Sequence, residues 1–160
     1  MKYLFLFFIF FSFLAANINE LLYIEAKLYT KIIKISNFQK KNKKIVIDLI
    51  YDKDSVKIAK KMAKFLEKNG VDVRMDTVPN FSEADAYILV TKKISDKFKK
   101  RLLRTKKLIF SIYPDMIKDS MVSIYIGAKV KPIINLYLIK KASIYINPII
   151  LKVAKIYEKD

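Results

Sequence analysis

The stretch KIVIDLIY, residues 44–51, is an almost unbroken apolar run rich in β-branched residues. Such a run is typical of a strand that is buried on both faces of a sheet. Asp54 or Ser55 then caps a helix that runs to Asn69, and Gly70 ends it, because glycine adopts the left-handed C-cap conformation at low cost. The apolar face of this helix consists of Ile58, Met62, Phe65 and Leu66. A strand followed directly by an amphipathic helix predicts a parallel crossover unit.

The same alternation continues on both sides of this unit. Further strands are predicted at residues 71–76, 85–91 and 107–112. Helices are predicted at residues 19–35, with Leu21, Ile24, Leu28, Ile32 and Ile35 inward, and at 96–105 after the cap Ser95. Strands that alternate with helices predict an α/β fold: a three-layer, mainly parallel sheet with helices on both faces.

The pattern changes after residue 120. Two strand-like runs, 121–126 and 129–138, flank Gly127-Ala128, a pair that suits a type II′ hairpin turn. Pro132 puts the second run near an edge of the sheet. Asn147 and Pro148 begin a last helix, whose predicted stripe is Ile149, Ile150, Val153, Ala154 and Tyr157. We therefore predict an antiparallel C-terminal hairpin beside the parallel strands.

Residues 1–16 have the layout of a secretory signal peptide. A basic start precedes the apolar run at residues 4–14, and Ala15-Ala16 offers small residues for cleavage. The apolar run is shorter than the roughly 20 residues that a spanning helix needs. An uncleaved membrane anchor is the alternative. We predict a cleaved signal peptide at 1–16, a single domain at 17–160 and a periplasmic location.

The composition excludes several classes of function. The formal net charge is +17, and the chain has no Cys and no His. Export and the scarcity of Arg argue against nucleic-acid binding, which leaves a charged surface, or attraction to anionic lipid or an acidic partner. Without His and Cys, imidazole chemistry, disulfides and most zinc sites are excluded. Neither of the two glycines links a strand to a helix, so we predict no phosphate loop, no cofactor, no metal and no enzyme.

Sheets of this class bind ligands at the carboxyl ends of their strands. The polar residues predicted there are Asp52, Asp54, Asp76, Thr91, Lys92, Tyr113 and Asp115. One interpretation is an acidic pocket for a metal or phosphate, and the other is that these aspartates cap helices and turns. We predict a ligand site made of Asp52, Thr91, Lys92 and Tyr113.

Three segments, in this order, resemble the YfiR-like family of small exported bacterial proteins. The first is the helix IEAKLYTKIIKISNF at 24–38, and the second is ADAYILVT with the helix and strand after it, at 84–117. The third is the closing tract at 123–158: strand, Gly turn, strand ending in I-N-L, basic patch and N-capped helix. The chain departs from the family where Asp85-Ala86-Tyr87 replaces its Cys and His, and where no Pro follows the first helix.

The resemblance implies a non-enzymatic periplasmic regulator. Its partner would be the periplasmic sensor region of an inner-membrane signalling protein, such as a diguanylate cyclase that makes cyclic-di-GMP. Formation of a homodimer is a further possibility. The alternative is a periplasmic small-molecule-binding protein that feeds a sensor or transporter. Lys129 and Lys131 on the predicted edge hairpin suit an acidic partner. Asn135 is marked as a partner contact, with a backbone-capping amide as its alternative role.

Overall fold

The computed structural model describes residues 2–36, 44–78, 81–126 and 129–158, with side chains from residue 18 onward. The predicted signal peptide lies outside the residues whose side chains are described, and the predicted turn at Gly127-Ala128 lies outside the described backbone. Within the described parts of the chain, no helix is both long and apolar enough to cross a lipid bilayer.

The described residues form seven strands and five α-helices. The strands are β1 (Val46–Tyr51), β2 (Asp72–Thr77), β3 (Ala86–Val90), β4 (Leu108–Ser111), β5 (Val122–Ile126), β6 (Val130–Ile134) and β7 (Lys155–Ile156). The helices are α1 (Lys2–Ser36), α2 (Val56–Lys68), α3 (Asp96–Arg104), α4 (Leu136–Lys141) and α5 (Pro148–Val153). Short 3₁₀ turns occupy Lys53–Ser55 and Pro114–Lys118.

All seven strands join one sheet in the order β2-β1-β3-β4-β5-β6-β7. The strands from β2 to β5 pair in parallel, β5 and β6 are antiparallel, and β7 runs parallel to β6. The chain moves outward from β1 to β2, then crosses back to place β3 on the other side of β1. The strand order therefore reverses between β1 and β3, which is the topological switch point of a doubly wound sheet.

Helices cover both faces of the sheet, as the sequence predicts. The ring of Tyr29 in α1 lies 4.6 Å from that of Phe110, whereas Phe81 packs against both Tyr87 and Phe98 of α3. Tyr87 pairs with Ile109, the neighbour of Phe110, so Tyr87 and Phe110 face opposite sides. Because α2 packs on α1, α1 and α2 form one outer layer, and α3 lies in the other.

The buried face of α1 differs from the predicted one. Leu22, Ala26, Tyr29 and Ile33 are buried with Ile32, whereas Leu21, Ile24, Leu28 and Ile35 are only half-buried. The helix also extends over the whole range Lys2–Ser36, not just 19–35. The packed stripe is thus turned by one position from the predicted stripe, which places the acidic residue Glu25 in the core.

The predicted strand 129–138 is wrong in its second half. β6 ends at Ile134, and Asn135 caps α4, with its side-chain oxygen accepting the N–H of Leu138. The Asn135 amide also donates to the carbonyl of Ile117 at 2.8 Å. These two bonds turn the chain out of the sheet, so tertiary contacts override the strand propensity of the apolar residues that follow.

The predicted C-terminal helix starts correctly but ends early. The Asn147 side chain accepts the N–H of Ile149, and α5 stops at Val153, because Ala154 is extended and β7 pairs with β6. The predicted stripe is therefore wrong: Ile149 is 60% and Val153 59% exposed. β7 also covers the Ile133–Ile134 half of β6, so β6 is an edge strand only over Val130–Pro132.

Candidate functional site

A crevice of about 470 Å³ opens at the carboxyl ends of β1 and β3, the place where the strand order reverses. We call it the strand-end crevice, and its lining is Asp52, Asp54, Ser55, Ile58, Lys92, Lys93 and Tyr113. The lining comes from the β1–α2 junction, the residues after β3 and the second residue after the end of β4. Its volume falls within the range of about 300–1,000 Å³ that is usual for small-ligand sites.

A hydrogen-bonded cluster joins the two sides of the switch point. One oxygen of Asp52 lies 2.5 Å from the Thr91 hydroxyl that donates to it, and the other accepts the Ser55 N–H at 3.0 Å and the Ser55 hydroxyl at 2.7 Å. Burial alone would raise the pKa of Asp52, but the bonds from Thr91 and Ser55 outweigh it and lower the pKa below its ordinary value. Asp52 is therefore an ionised brace between the ends of β1 and β3.

The open side of the crevice carries a cation and an aromatic ring. The ammonium of Lys92 lies 5.4 Å from the centre of the Tyr113 ring, within cation–π range. Tyr113 is half-buried, and burial, followed by the negative charges of Asp52 and Glu25, raises its pKa. The hydroxyl of Tyr113 thus stays neutral and lies within electrostatic range of two carboxyl groups.

The structure brings the four predicted ligand residues, Asp52, Thr91, Lys92 and Tyr113, to one place. Thr91 is buried and contributes by holding Asp52 rather than by lining the crevice. The predicted strand-end residues Asp76 and Asp115 do not line it, and Asp76 instead accepts bonds from the backbone and hydroxyl of Ser82.

The predicted set of ligand residues lacks four residues that line the crevice: Asp54, Ser55, Ile58 and Lys93. Asp54 is among the predicted strand-end residues, whereas the sequence predicts Ser55 and Ile58 only as a cap and as part of the apolar face of α2. All four follow the end of β1 or β3 by three to seven residues, so counting onward from these strands finds them.

The acidic-pocket interpretation has little support in the geometry. Two of the predicted aspartates, Asp52 and Asp76, accept bonds from backbone N–H and hydroxyl groups. No group of three acidic side chains that could hold a metal ion occurs in the described part of the chain. These two aspartates therefore act as the caps of turns that the alternative interpretation expects.

A second concavity, of about 630 Å³, lies on the C-terminal hairpin. We call it the hairpin cavity, and its lining is Tyr125, Lys129, Lys131, Ala154 and Lys155. The Lys155 ammonium lies 4.3 Å from the centre of the Tyr125 ring. Lys129 and Lys131, predicted as partner residues, are exposed here, whereas Asn135 is 2% exposed and has its amide engaged with the backbone. Asn135 therefore has the capping role and presents no surface to a partner.

Two buried carboxyl groups were not predicted from the sequence. Glu25 in α1 is 2% exposed, one of its oxygens has no hydrogen-bond partner among the described residues, and burial raises its pKa to about 8. Asp48 in β1 is fully buried, and burial, with the added negative charge of Asp76, raises its pKa to about 7. The signal for Asp48 was its position in the middle of the apolar run KIVIDLIY.

Comparison with known proteins yields structural neighbours only. No protein-family model matches the chain, and no match is found among curated proteins. The fold is similar to that of the ABC domain of a Streptococcus pneumoniae protein solved in complex with L-Trp, at 16% identity and a TM-score of 0.56, covering 83% of this chain and 62% of that one. A conserved domain protein from Vibrio cholerae is similar at 11% identity and a TM-score of 0.56, covering 83% and 60%.

At these identities the similarity shows the fold alone. The chain spans about three fifths of the length of the two solved chains. What it shares with them is the doubly wound α/β arrangement, which places the strand-end crevice at the position where such folds hold ligands.

Proposed function

We propose that the protein is an exported, non-enzymatic binding protein that holds a small charged molecule in the strand-end crevice and acts for a sensor or a transporter. The observation that carries the proposal is the crevice itself. It lies at the switch point between β1 and β3, and its charged and aromatic side chains converge on one opening. Doubly wound sheets bind ligands at this place.

Two further observations support a binding role. The Asp52–Thr91–Ser55 cluster fixes both sides of the crevice before any ligand arrives, which lowers the entropic cost of binding. The Streptococcus protein of similar fold was solved with L-Trp, a ligand of a size that a crevice of about 470 Å³ accommodates.

A thermal-shift screen of charged metabolites tests the proposal. A ligand that binds only the folded state adds RT ln(1 + [L]/Kd) to the free energy of unfolding, so a hit raises the melting temperature in a saturable way. Lys92→Glu, Lys93→Glu should abolish the shift. Lys60→Glu, Lys64→Glu is the matched control, since both side chains are exposed on α2 and neither lines the crevice. A flat response across the library, or equal loss in both double variants, would reject the crevice as the site.

Export is part of the proposal and has its own test. Residues 1–16 carry a basic start, an apolar run and small residues at the cleavage position. Intact-mass measurement of protein from the envelope fraction should give a chain that begins near Asn17. A mass that retains residues 1–16 would point to the tethered form.

A regulator of an inner-membrane signalling protein is the second candidate function. It is supported by the resemblance to the YfiR-like family and by the hairpin cavity, whose three lysines suit an acidic surface. Surface plasmon resonance against the periplasmic segment of a diguanylate cyclase from the same genome tests it. Binding should weaken with salt and with Lys129→Glu, Lys131→Glu, mainly through the association rate. Binding that ignores both changes would reject this docking surface.

A further inference from the structure

We infer that the strand-end crevice selects a zwitterion, namely an amino acid with an apolar side chain. The inference rests on the proposed binding function and specifies its ligand class. It starts from the charges of the lining: two lysines and two aspartates, in a chain whose net charge is +17. The crevice is therefore balanced in charge, although the chain as a whole is strongly basic.

The opposite charges of the crevice do not neutralise one another. No ion pair joins Lys92 or Lys93 to Asp52 or Asp54 in this fully described part of the chain. Lys92 stands over the Tyr113 ring, and the carboxylate of Asp52 is engaged by Thr91 and Ser55. The ammonium groups of the lysines are thus available for a carboxylate, and the exposed side chain of Asp54 is available for an ammonium group.

A ligand with a single charge is repelled by the crevice residues that carry the same charge. A plain anion that reaches the lysines brings its charge close to Asp52 and Asp54, and a plain cation meets Lys92 and Lys93. At a distance of about 4 Å, unit charges near a protein surface interact by several times the thermal energy, so these repulsions discriminate between ligands. A molecule with one charge of each sign satisfies both sets of groups.

The apolar part of the lining defines the rest of the ligand. Ile58 in the first turn of α2 and the half-buried Tyr113 ring offer hydrophobic contact surface beside the charged groups. An aromatic or large aliphatic side chain would pack against them, since aromatic rings pair favourably with rings and with aliphatic carbons. A polar side chain would gain nothing there.

Isothermal titration calorimetry with three matched probes tests the inference: L-tryptophan, 3-indolepropionate, which lacks the ammonium group, and tryptamine, which lacks the carboxylate. L-Tryptophan should bind at least about tenfold more tightly than either analogue, because each analogue lacks one charged group and so loses one ion-pair contact with the crevice. Asp54→Asn should weaken L-tryptophan by about tenfold and leave 3-indolepropionate unchanged or tighter. The Lys60→Ala, Lys64→Ala variant should match the wild type throughout.

The outcomes separate the two proposals. If 3-indolepropionate binds as tightly as L-tryptophan, or Asp54→Asn weakens both alike, the zwitterion inference falls and the binding function stands. A thermal-shift screen of the twenty amino acids covers other side chains, and a flat response to all of them overturns the inference. If simple anions and simple cations also give no shift, the proposed binding function falls with it. Because Asp54 is exposed, the Asn variant keeps the fold, and an unchanged melting temperature without ligand verifies this.

Discussion

The strand-end crevice and the hairpin cavity are both charged concavities, but they are built in different ways. The crevice follows from topology: three strand ends meet at a switch point, hydrogen bonds from Thr91 and Ser55 hold Asp52 in place, and Lys92 and Lys93 bring positive charge to the same opening. The hairpin cavity owes its charge to its residue types: three lysines and a tyrosine line it, beside the antiparallel strands β5 and β6. A braced site with charges of both signs can discriminate between ligands, whereas a lysine surface mainly attracts and steers anions.

The largest expected difference between the two regions concerns pH and comes from the buried Glu25, whose charge acts on Tyr113 of the crevice. Its pKa is about 8 in the folded chain and 4.5 when exposed, so the unfolded chain releases this proton first as the pH rises. The free energy of unfolding therefore falls between pH 4.5 and 8, by about 4 kcal/mol from this group. Glu25→Gln should remove that loss.

Urea unfolding at pH 4.5 and pH 9 measures the effect of Glu25→Gln. The variant and the wild type should be nearly equal in stability at the lower pH and differ by about 4 kcal/mol at the higher one. Glu67→Gln is the matched control, since Glu67 is exposed on α2. A constant difference at both pH values would show that the pKa of Glu25 does not change on folding.

The hairpin side depends on the buried side chain of Asn135, which caps α4 and donates to the Ile117 carbonyl in the 3₁₀ turn Pro114–Lys118. Asn135→Ala removes a helix cap and leaves the Ile117 carbonyl without its donor, so it should cost about 3 kcal/mol. Asn147→Ala removes only the cap of α5 and should cost about 1 kcal/mol. Chemical denaturation compares the two, and equal costs would mean that the buried bond of Asn135 contributes little.

The hydrogen bonds of Asp52, which brace the crevice, should contribute less to the free energy of unfolding than those of Asn135. Asp52→Ala loses the bonds to Ser55 and Thr91 and should destabilise the protein by about 2 kcal/mol at pH 7. Because the folded pKa of Asp52 is lowered, this contribution is present above its ordinary value of 3.8 and is lost as the pH falls below it. Asp54→Ala, at an exposed neighbour, should change the stability by less than about 0.5 kcal/mol. A pH-independent cost for Asp52→Ala would contradict the ionised brace.

The smallest effect on stability is expected from the hairpin lysines. Lys129→Glu, Lys131→Glu should alter the free energy of unfolding by less than about 0.5 kcal/mol, since both side chains are exposed. The same change should slow association with immobilised poly-L-glutamate at low salt, and the difference from the wild type should shrink as salt rises. The Lys60→Glu, Lys64→Glu control should lose less, and an equal loss would assign the attraction to the net charge of the whole chain.

The parallel half of the fold could be predicted because its signals are local and agree with one another. The runs KIVIDLIY and DAYILVT form buried strands, and Ser95 and Gly70 mark helix ends as expected. Once the strand ends were placed, the carboxyl-end rule brought Asp52, Thr91, Lys92 and Tyr113 together. The strand pattern predicts the topology, and the topology in turn predicts where the candidate site lies.

The C-terminal part could not be predicted as well because distant contacts decide it. Residues 136–138 have strand-like side chains, yet the bond from Asn135 to Ile117, 18 residues earlier, starts a helix there. β7 forms because β6 provides a strand for it to pair with. A strand of two residues is too short to show an alternating pattern in the sequence. The burial of Glu25 could not be predicted for the same reason: contacts with the rest of the fold decide which side of α1 packs, and that side is one position away from the predicted stripe.

The two outer strands of the sheet bear on how copies of the molecule meet one another. β2, at one end, has Asp72, Arg74 and Asp76 at alternate positions, and β7, at the other end, is two residues long and begins with Lys155. Charged or very short border strands resist the backbone pairing between molecules that leads to fibrils. Both borders of the sheet therefore disfavour edge-to-edge pairing between copies of the molecule.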